Sequence, residues 1–225
     1  MGPNHDLAYL LGSLRDGSLA KSGNLSEITL ASDSHKDWIS NVIVPKAARA
    51  FGIGSEKIKT YEVWTHKSQR PFYRAKIYSV EIRKLLSEYY KPGNQKNWET
   101  PKAIRESSFD LQKSYIRGFF DAEGGSRDVL KYNNGQTKTI NCEITIRCKH
   151  SKSPNEPLVF IKEFLEKLGI NIHLRKDETA IVITGKRNVL RFYQEIEPLH
   201  PRKSEMMRKL LQFYKAFNPV EASMA

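Results

Sequence analysis

The segment at residues 115–125, YIRGFFDAEGG, carries the strongest structural signal in the chain. Its apolar residues surround an internal Gly118, and the acid Glu123 is followed by two glycines, which suit a helix end. Gly118 and Ala122 are four positions apart, so they share one helix face. Because small side chains let two helices approach closely, the segment predicts a helix that packs tightly against a partner and ends at Glu123.

A second segment of the same kind lies near the start of the chain, where residues 8–17 read AYLLGSLRDG. Its leucines recur at helical spacing, and Asp16 is followed by a glycine. Asp16 and Glu123 are 107 positions apart, close to half of the 225 residues. The tripeptide EIT also recurs, at 27–29 and 143–145, which is an offset of 116. These offsets predict a duplicated unit whose two copies differ in hairpin length.

Each copy is predicted to contain a helix, two strands, a helix, two strands and a helix. The first copy has predicted strands at 19–21, 27–31, 58–65 and 72–79 and helices at 37–51 and 80–90. The second has predicted strands at 129–132, 139–149, 172–175 and 180–184 and helices at 158–168, 189–196 and 204–217. Helix breakers follow residue 90. We therefore expect an N-terminal unit at 1–95, a linker at 96–108 and a C-terminal unit at 109–225.

The composition narrows the class of protein. Thirty-seven Lys and Arg against 25 Asp and Glu give a net charge of +12, which favours a polyanionic partner. A hydrophobic fraction of 39% excludes a disordered chain, and no apolar run is long enough to span a membrane. The polar start lacks a secretion signal core, so we expect an intracellular protein, in the cytoplasm or an organelle matrix.

Cys142 and Cys148 are too far apart along one strand to form a disulfide bond, so we expect free thiols.

Residues 116–124 resemble the signature helix of the LAGLIDADG homing endonucleases, because GFFDAEG at 118–124 fills the frame Gly-x-x-Asp-Ala-acid-Gly. Residues 10–17 look like the first copy. The resemblance is to the single-chain, two-motif, intron-encoded type. It implies an α+β fold of tandem αββαββα units related by a pseudo-twofold axis, with antiparallel sheets that form a saddle over DNA. It also implies a monomer that uses divalent metal to cut both strands of double-stranded DNA at a long site.

The acids that end the two signature helices, Asp16 and Glu123, are the predicted catalytic and metal-binding residues. Asp16 and Glu123 would meet if the two helices pack along their small faces, and paired carboxylates supply the oxygen ligands that Mg²⁺ prefers. We expect Mg²⁺ as the cofactor, with Ca²⁺ or Mn²⁺ able to substitute. By the resemblance, Lys149 matches the catalytic lysine of the family, and Lys203 is a second candidate.

The first motif departs from the family frame. Gly12 and Asp16 are four residues apart, whereas Gly118 and Glu123 are five apart, and one residue turns a side chain by about 100° on a helix. Either Ala8 and Gly12 form the close-packing face, or the first helix ends with a different geometry. Leu14 also replaces the acid Asp121, which is often structural in the family.

The predicted hairpins carry the DNA-binding residues, because a two-stranded ribbon fits the major groove and Arg, Asn and Gln can read base edges there. The predicted contacts are Asn24, Ser26, Arg70, Tyr73, Arg74 and Lys76 in the first unit, and Arg127, Lys131, Asn133, Gln136, Lys138 and Arg147 in the second. The alternative function is a cleavage-deficient DNA-binding protein or an RNA maturase that assists intron splicing. Retention of both acids favours the enzyme.

Overall fold

The fold was taken from a computed structural model, which describes the backbone of residues 3–19, 26–64, 69–133 and 137–217. The side chains of 127–142 and 213–217 lie outside the described part. The predicted α+β class and the duplicated order of elements are both confirmed. Each half contains one antiparallel sheet of four strands, and helices cover the apolar face of each sheet.

The first half begins with α1 (His5–Ser13), which runs into a 3₁₀ turn at Leu14–Asp16. The Asn4 side chain caps α1 by accepting the N–H of Leu7 at 2.9 Å. The other elements of this half are β1 (Ser18–Leu19), β2 (Glu27–Asp33), α2 (Lys36–Trp38), α3 (Val44–Phe51), β3 (Lys59–Val63), β4 (Phe72–Tyr78) and α4 (Val80–Ser87). Ser79 caps α4 as predicted, because its Oγ accepts the N–H of Ile82 at 3.2 Å.

The helix predicted at 37–51 is interrupted by a π-helical turn at Ile39–Ile43, which joins α2 to α3. Pro45 stands in the first turn of α3. Because proline has no N–H, it cannot complete the i→i−4 ladder, and a local change of helical pitch accommodates the lost bond.

The second half repeats the order of the first. Its elements are α5 (Lys102–Arg105), α6 (Phe109–Glu123), β5 (Gly124–Asn133), β6 (Thr137–Arg147), α7 (Glu156–Lys167), β7 (His173–Leu174), β8 (Ala180–Thr184), α8 (Lys186–Ile196) and α9 (Pro201–Phe217). The short α5 was not predicted, and it lies in the expected linker between a 3₁₀ turn at Gln95–Asn97 and α6.

The two sheets have the same topology. The strand order is β1-β2-β4-β3 in the first half and β5-β6-β8-β7 in the second, and all neighbours are antiparallel. Buried residues alternate along β4, at Ala75 and Ile77, whereas β2 has a bulge and residues 28–31 are all buried. The most deeply buried residues of β6, Ile144 and Ile146, also lie on one face. The opposite faces of the sheets therefore remain open to a partner.

One connected apolar core joins the halves, and α1 and α6 lie at its centre. The linker is fixed to this core, because Trp98 is buried and stacks on Tyr90 with ring centroids 4.5 Å apart. Cys148 is a buried free thiol, whereas the side chain of Cys142 lies outside the described residues. Among the described residues, no helix combines the length and apolar character needed to cross a membrane.

Candidate active site at the ends of α1 and α6

The two central helices meet backbone to backbone at a pair of glycines. A Cβ atom on Gly12 would lie 2.7 Å from the Phe119 nitrogen and closer still to the Tyr115 carbonyl oxygen. A Cβ atom on Gly118 would collide with the Tyr9 carbonyl oxygen in the same way. Only glycine fits at either position, so this crossing fixes the depth at which α1 and α6 pack. Ala8 is also fully buried, in agreement with the first of the two geometries considered for the shorter motif.

The second geometry is present as well, because the first helix ends in the 3₁₀ turn whereas α6 stays α-helical to Glu123. A 3₁₀ residue rises about 2.0 Å and turns about 120°, against about 1.5 Å and 100° for an α-helical residue. Four steps from Gly12 to Asp16 therefore advance about as far as the five from Gly118 to Glu123, and they recover part of the missing rotation. The tighter turn brings Asp16 close to the height of Glu123 despite the missing residue.

The carboxyl groups of Asp16 and Glu123 interact at these ends. Burial and then repulsion from Glu123 raise the pKa of Asp16 to about 8, while Lys203 opposes the rise. Burial also raises the pKa of Glu123, against the attraction of Arg15, Lys203 and Lys149. Two half-buried carboxylates that repel each other form a site that a divalent cation stabilises, and their oxygen atoms are the ligands that Mg²⁺ and Ca²⁺ prefer. The residues present therefore fit the expected metal.

A different residue caps each helix end. The Lys203 ammonium donates to the carbonyl oxygens of the last turn of α6, at 2.9 Å to Phe120, 2.5 Å to Asp121 and 3.2 Å to Ala122. On the first helix, the Gln95 amide donates to the carbonyls of Leu14, at 3.3 Å, and Gly17. These bonds satisfy carbonyl groups that would otherwise lack partners, and they hold the backbone that carries each acid.

The two caps occupy equivalent places in the duplicated unit. Gln95 and Lys203 are 108 positions apart, nearly the 107 that separate Asp16 from Glu123. Burial lowers the pKa of Lys203, while the neighbouring acids Asp121 and Asp16 counteract this effect. The geometry of Lys203 therefore favours positioning α6 over reaching out to a substrate. Gln95 was not predicted, although its offset of 108 positions from Lys203 could have identified it.

Arg15 connects the first helix end to the linker. Its guanidinium is buried and donates to the carbonyl oxygens of Gln95 at 3.0 Å and Trp98 at 2.6 Å, and it lies 5.3 Å from the centre of the Phe119 ring. Arg15 stands where the family frame has alanine. Its larger side chain fits because it extends towards the linker. Its positive charge also acts on Glu123.

Asp121 has a structural setting, as the resemblance implied. Its carboxylate accepts the hydroxyl of Tyr9 on the partner helix at 2.6 Å and the N–H of Leu199 at 2.9 Å. Trp38 in turn donates to the Tyr9 hydroxyl at 3.0 Å. In the first motif Leu14 stands at the position equivalent to Asp121 and is buried in the core. Only the second of the two motifs therefore has an acid in this polar network.

Lys149 lies beside Glu123. The two residues line a cavity of about 310 Å³ with Arg15 and Arg147, and Lys149 is exposed. A second cavity, of about 270 Å³, lies on the other side of Glu123 and is lined by Arg147, Glu143 and Arg175. Lys149 is therefore placed where it could meet a phosphate group, but its predicted catalytic role remains a prediction.

The predicted DNA contacts of the first half lie in several environments. Arg70 is exposed, and Ser26 lies beside the start of β2. On β4, Arg74 donates to Ser32 at 3.3 Å, and Lys76 pairs with Glu27 at 2.7 Å. Tyr73 differs from the others, because it alternates with the two cationic residues of β4 and packs against the core. Tyr73 is only partly buried, and its predicted DNA contact stays a prediction.

The predicted contacts of the second half lie on the long hairpin and near its base. Arg147 is exposed and lines both cavities beside Glu123. The backbone register pairs Arg127 with Glu143, Lys131 with Thr139, Asn133 with Thr137 and Lys138 with Tyr132. The side chains of these four predicted residues lie outside the described part, as do Asn24 and Gln136 altogether.

A histidine-containing cluster beside the acids was not predicted. Asp33 at the end of β2 contacts His35 at 2.8 Å and His200, in the turn before α9, at 3.3 Å. An offset of 116 aligns Asp33 with Lys149, so the duplicated unit has an acid in one half where the other has a lysine. The two histidines are far apart in the chain, and no local pattern links them.

Comparisons with known proteins agree with this fold. The family profile described as a LAGLIDADG-like domain matches residues 110–197. Homing endonuclease I-ApeI from Aeropyrum pernix is 29% identical over 214 residues, which cover 91% of this chain and 86% of that protein.

Two solved structures share the architecture at low sequence identity. The structure of I-DmoI in complex with DNA and Mn has a TM-score of 0.53 at 18% identity and covers 85% of this chain and 96% of that one. The I-LtrWI LAGLIDADG homing endonuclease bound to target DNA has a TM-score of 0.57 at 11% identity and covers 96% of this chain and 91% of that one. In its two central helices, its glycine crossing and its duplicated sheets, the chain is similar to these LAGLIDADG homing endonucleases.

Proposed function

We propose that the protein is a metal-dependent DNA endonuclease, which hydrolyses both strands of a long double-stranded site at the paired carboxylates of Asp16 and Glu123. The observation that carries the proposal is the convergence of these two acids at the glycine-packed ends of α1 and α6. The similar proteins I-ApeI and I-LtrWI are homing endonucleases, and the similar structure of I-DmoI contains DNA and Mn.

Each carboxylate would hold divalent metal against one scissile phosphate. Such a metal, when bound, supplies positive charge to the phosphate and lowers the pKa of water, so that hydroxide is available near neutral pH. The raised pKa values of Asp16 and Glu123 mean that both acids must lose a proton before they can act as ligands. Lys149, on the rim of the Glu123 cavity, would bind the phosphate oxygen that gains charge.

The DNA would lie across the open faces of the two sheets. Arg74 and Lys76 of β4 alternate with the core residues Ala75 and Ile77, which places the cations on the open face. Arg147 extends this basic character to the rim of the acid pair. A net charge of +12 supplies the long-range attraction, and we place the protein inside the cell, where its DNA substrate is.

The test uses Glu123→Gln and Asp16→Asn, which remove a metal ligand with little change of shape. Binding and cleavage would be measured on sites selected from a library of double-stranded DNA, with Mg²⁺ and with Ca²⁺. We expect each variant to bind DNA as the wild type does and to lose cleavage by at least about 100-fold, because an essential charge is absent from the transition state. Glu88→Gln, at an exposed acid after α4, is the matched control.

Three outcomes would contradict the proposal. Normal cleavage by Glu123→Gln would remove the assignment of the acid pair, whereas tight DNA binding without cleavage by the wild-type protein would support the cleavage-deficient alternative. Promotion of splicing of an intron RNA by the wild-type chain, without cleavage of any selected DNA, would support the maturase.

A further inference from the structure

Asp33, His35 and His200 bring three metal-binding atoms together on one side of the acid pair. The Asp33 Oδ1 lies 2.8 Å from the His35 Nδ1 and 3.3 Å from the His200 Nε2. The ligand atoms of all three residues lie within 4.8 Å of one another. Such convergence requires the tertiary fold, because His200 is 167 positions from Asp33.

The surroundings hold the two histidines in place. His200 is only 1% exposed, and its ring lies 5.1 Å from that of Trp38 and 4.8 Å from that of His35. The Nδ1 of His200 is buried and has no hydrogen-bond partner among the described residues.

We propose that Asp33, His35 and His200 form a binding site for Zn²⁺ or a similar transition-metal ion, distinct from the site of Asp16 and Glu123. Two imidazoles and one carboxylate are a common ligand set for zinc, whereas Mg²⁺ takes oxygen ligands. With metal–ligand bonds of about 2.1 Å, neighbouring atoms of a tetrahedral site lie about 3.4 Å apart. The observed separations of 2.8 and 3.3 Å both lie below this value, so binding a metal would need a small outward adjustment of the side chains.

Space for a fourth ligand is present. The three residues line a cavity of about 210 Å³, which a water molecule bound to the metal could occupy. Lys203 lines the same cavity, but three carbonyl oxygens at the end of α6 already hold its ammonium group. Arg202 also lines it and is exposed, so its charge is screened by water.

A metal at this position would join the two halves of the protein. It would link the end of β2, in the first half, to the turn between α8 and α9, in the second. The offset that aligns Asp33 with Lys149 aligns His35 with Ser151, so these two ligands have no counterpart in the other half. The metal-linked contact between the halves is therefore expected on only one side of the pseudo-twofold axis.

The test is calorimetric titration of Zn²⁺ into the full-length Glu123→Gln protein, without DNA and in excess Mg²⁺. The Glu123→Gln background weakens binding at the acid pair, and the proposal does not depend on which residues cut DNA. We expect one equivalent of Zn²⁺ to bind and to raise the melting temperature. Adding His35→Ala should weaken binding by at least about 100-fold, since loss of a direct ligand exceeds the loss of an outer-shell partner. Co²⁺ in place of Zn²⁺ should give the visible absorption of a tetrahedral site.

His173→Ala, at an exposed histidine of β7, is the matched control and should bind Zn²⁺ as the parent does. Asp33→Asn provides a second variant with almost unchanged shape. It tests the loss of zinc binding if His35→Ala does not fold. Absence of zinc binding in the parent would overturn the proposal. So would binding that survives both His35→Ala and Asp33→Asn, or that is lost equally with His173→Ala.

Discussion

Asp16 should make the metal-free protein less stable as the pH rises, and Asp16→Asn should remove this effect. Burial and repulsion from Glu123 place the folded-state pKa of Asp16 at about 8, against an ordinary value of 3.8. Between these values the native state holds a proton that the unfolded state has lost, so the stability contributed by protonated Asp16 is complete below pH 3.8 and is lost as the pH rises through 8.

The size of the effect follows from the shift. Each pH unit in this window corresponds to about 1.4 kcal/mol for one proton. Asp16 keeps partial contact with water, which screens its charge, so we expect about 2–3 kcal/mol over the whole window. Asparagine matches the shape of the protonated acid, and Asp16→Asn should therefore be about 2–3 kcal/mol more stable than the wild type at pH 8.5 and nearly equal to it at pH 4.5.

Urea unfolding at several pH values, with a chelator present, measures this difference. Asp37→Asn, at an exposed acid of α2, is the control and should follow the wild-type curve. Addition of Mg²⁺ at pH 8.5 should stabilise the wild type and leave Asp16→Asn almost unaffected, because the ligand is lost. Parallel stability curves for wild type and Asp16→Asn, without metal, would refute the argument that Asp16 is a strained carboxylate beside Glu123.

Two substitutions test the frame that holds the acids. Gly118→Ala should lower the free energy of unfolding by about 3 kcal/mol, because its Cβ would collide with the Tyr9 carbonyl. The control in the same urea assay is Gly125→Ala, whose Cβ meets no atom within 4 Å. Equal effects of the two substitutions would contradict the glycine crossing. Gln95→Leu should slow single-turnover cleavage about tenfold at unchanged DNA affinity, since about 1.4 kcal/mol of hydrogen bonding at the Asp16 turn is lost. Gln112→Leu, which removes two amide–carbonyl bonds at the other end of α6, should leave the rate unchanged, and a rate loss shared by both leucine variants would argue against a positioning role for Gln95.

The periodic parts of the fold were predictable because their causes are local. Leucines at helical spacing predict α1, and alternating apolar residues predict the central strands. Predicted bounds such as 180–184 agree with β8 at Ala180–Thr184. The π-helical turn before Pro45 and the short α5 were missed, since neither leaves a periodic pattern of apolar residues.

The candidate site was predictable only in part. Asp16 and Glu123 could be selected because duplication repeats an acid–glycine pair at half the chain length. Tyr73 was predicted to contact DNA because it lies among cations; strand alternation places it on the same face of β4 as the core residues Ala75 and Ile77, where it is partly buried, and the contact stays a prediction. Gln95 and the cluster of Asp33, His35 and His200 were not predicted, because Gln95 meets Leu14 across 81 positions of sequence and His200 meets Asp33 across 167.

The chain by itself determined the duplicated unit, the two acids and the glycines, because spacing along a helix or strand is written directly in the order of residues. Only the tertiary structure decided how the shorter first motif still brings Asp16 to Glu123: the helix tightens into a 3₁₀ turn, and Gln95 and Arg15 fix that turn to the linker. The physical reason is that helical pitch at a chain end depends on which distant groups satisfy the last carbonyls, and those partners become neighbours only when the two halves pack together.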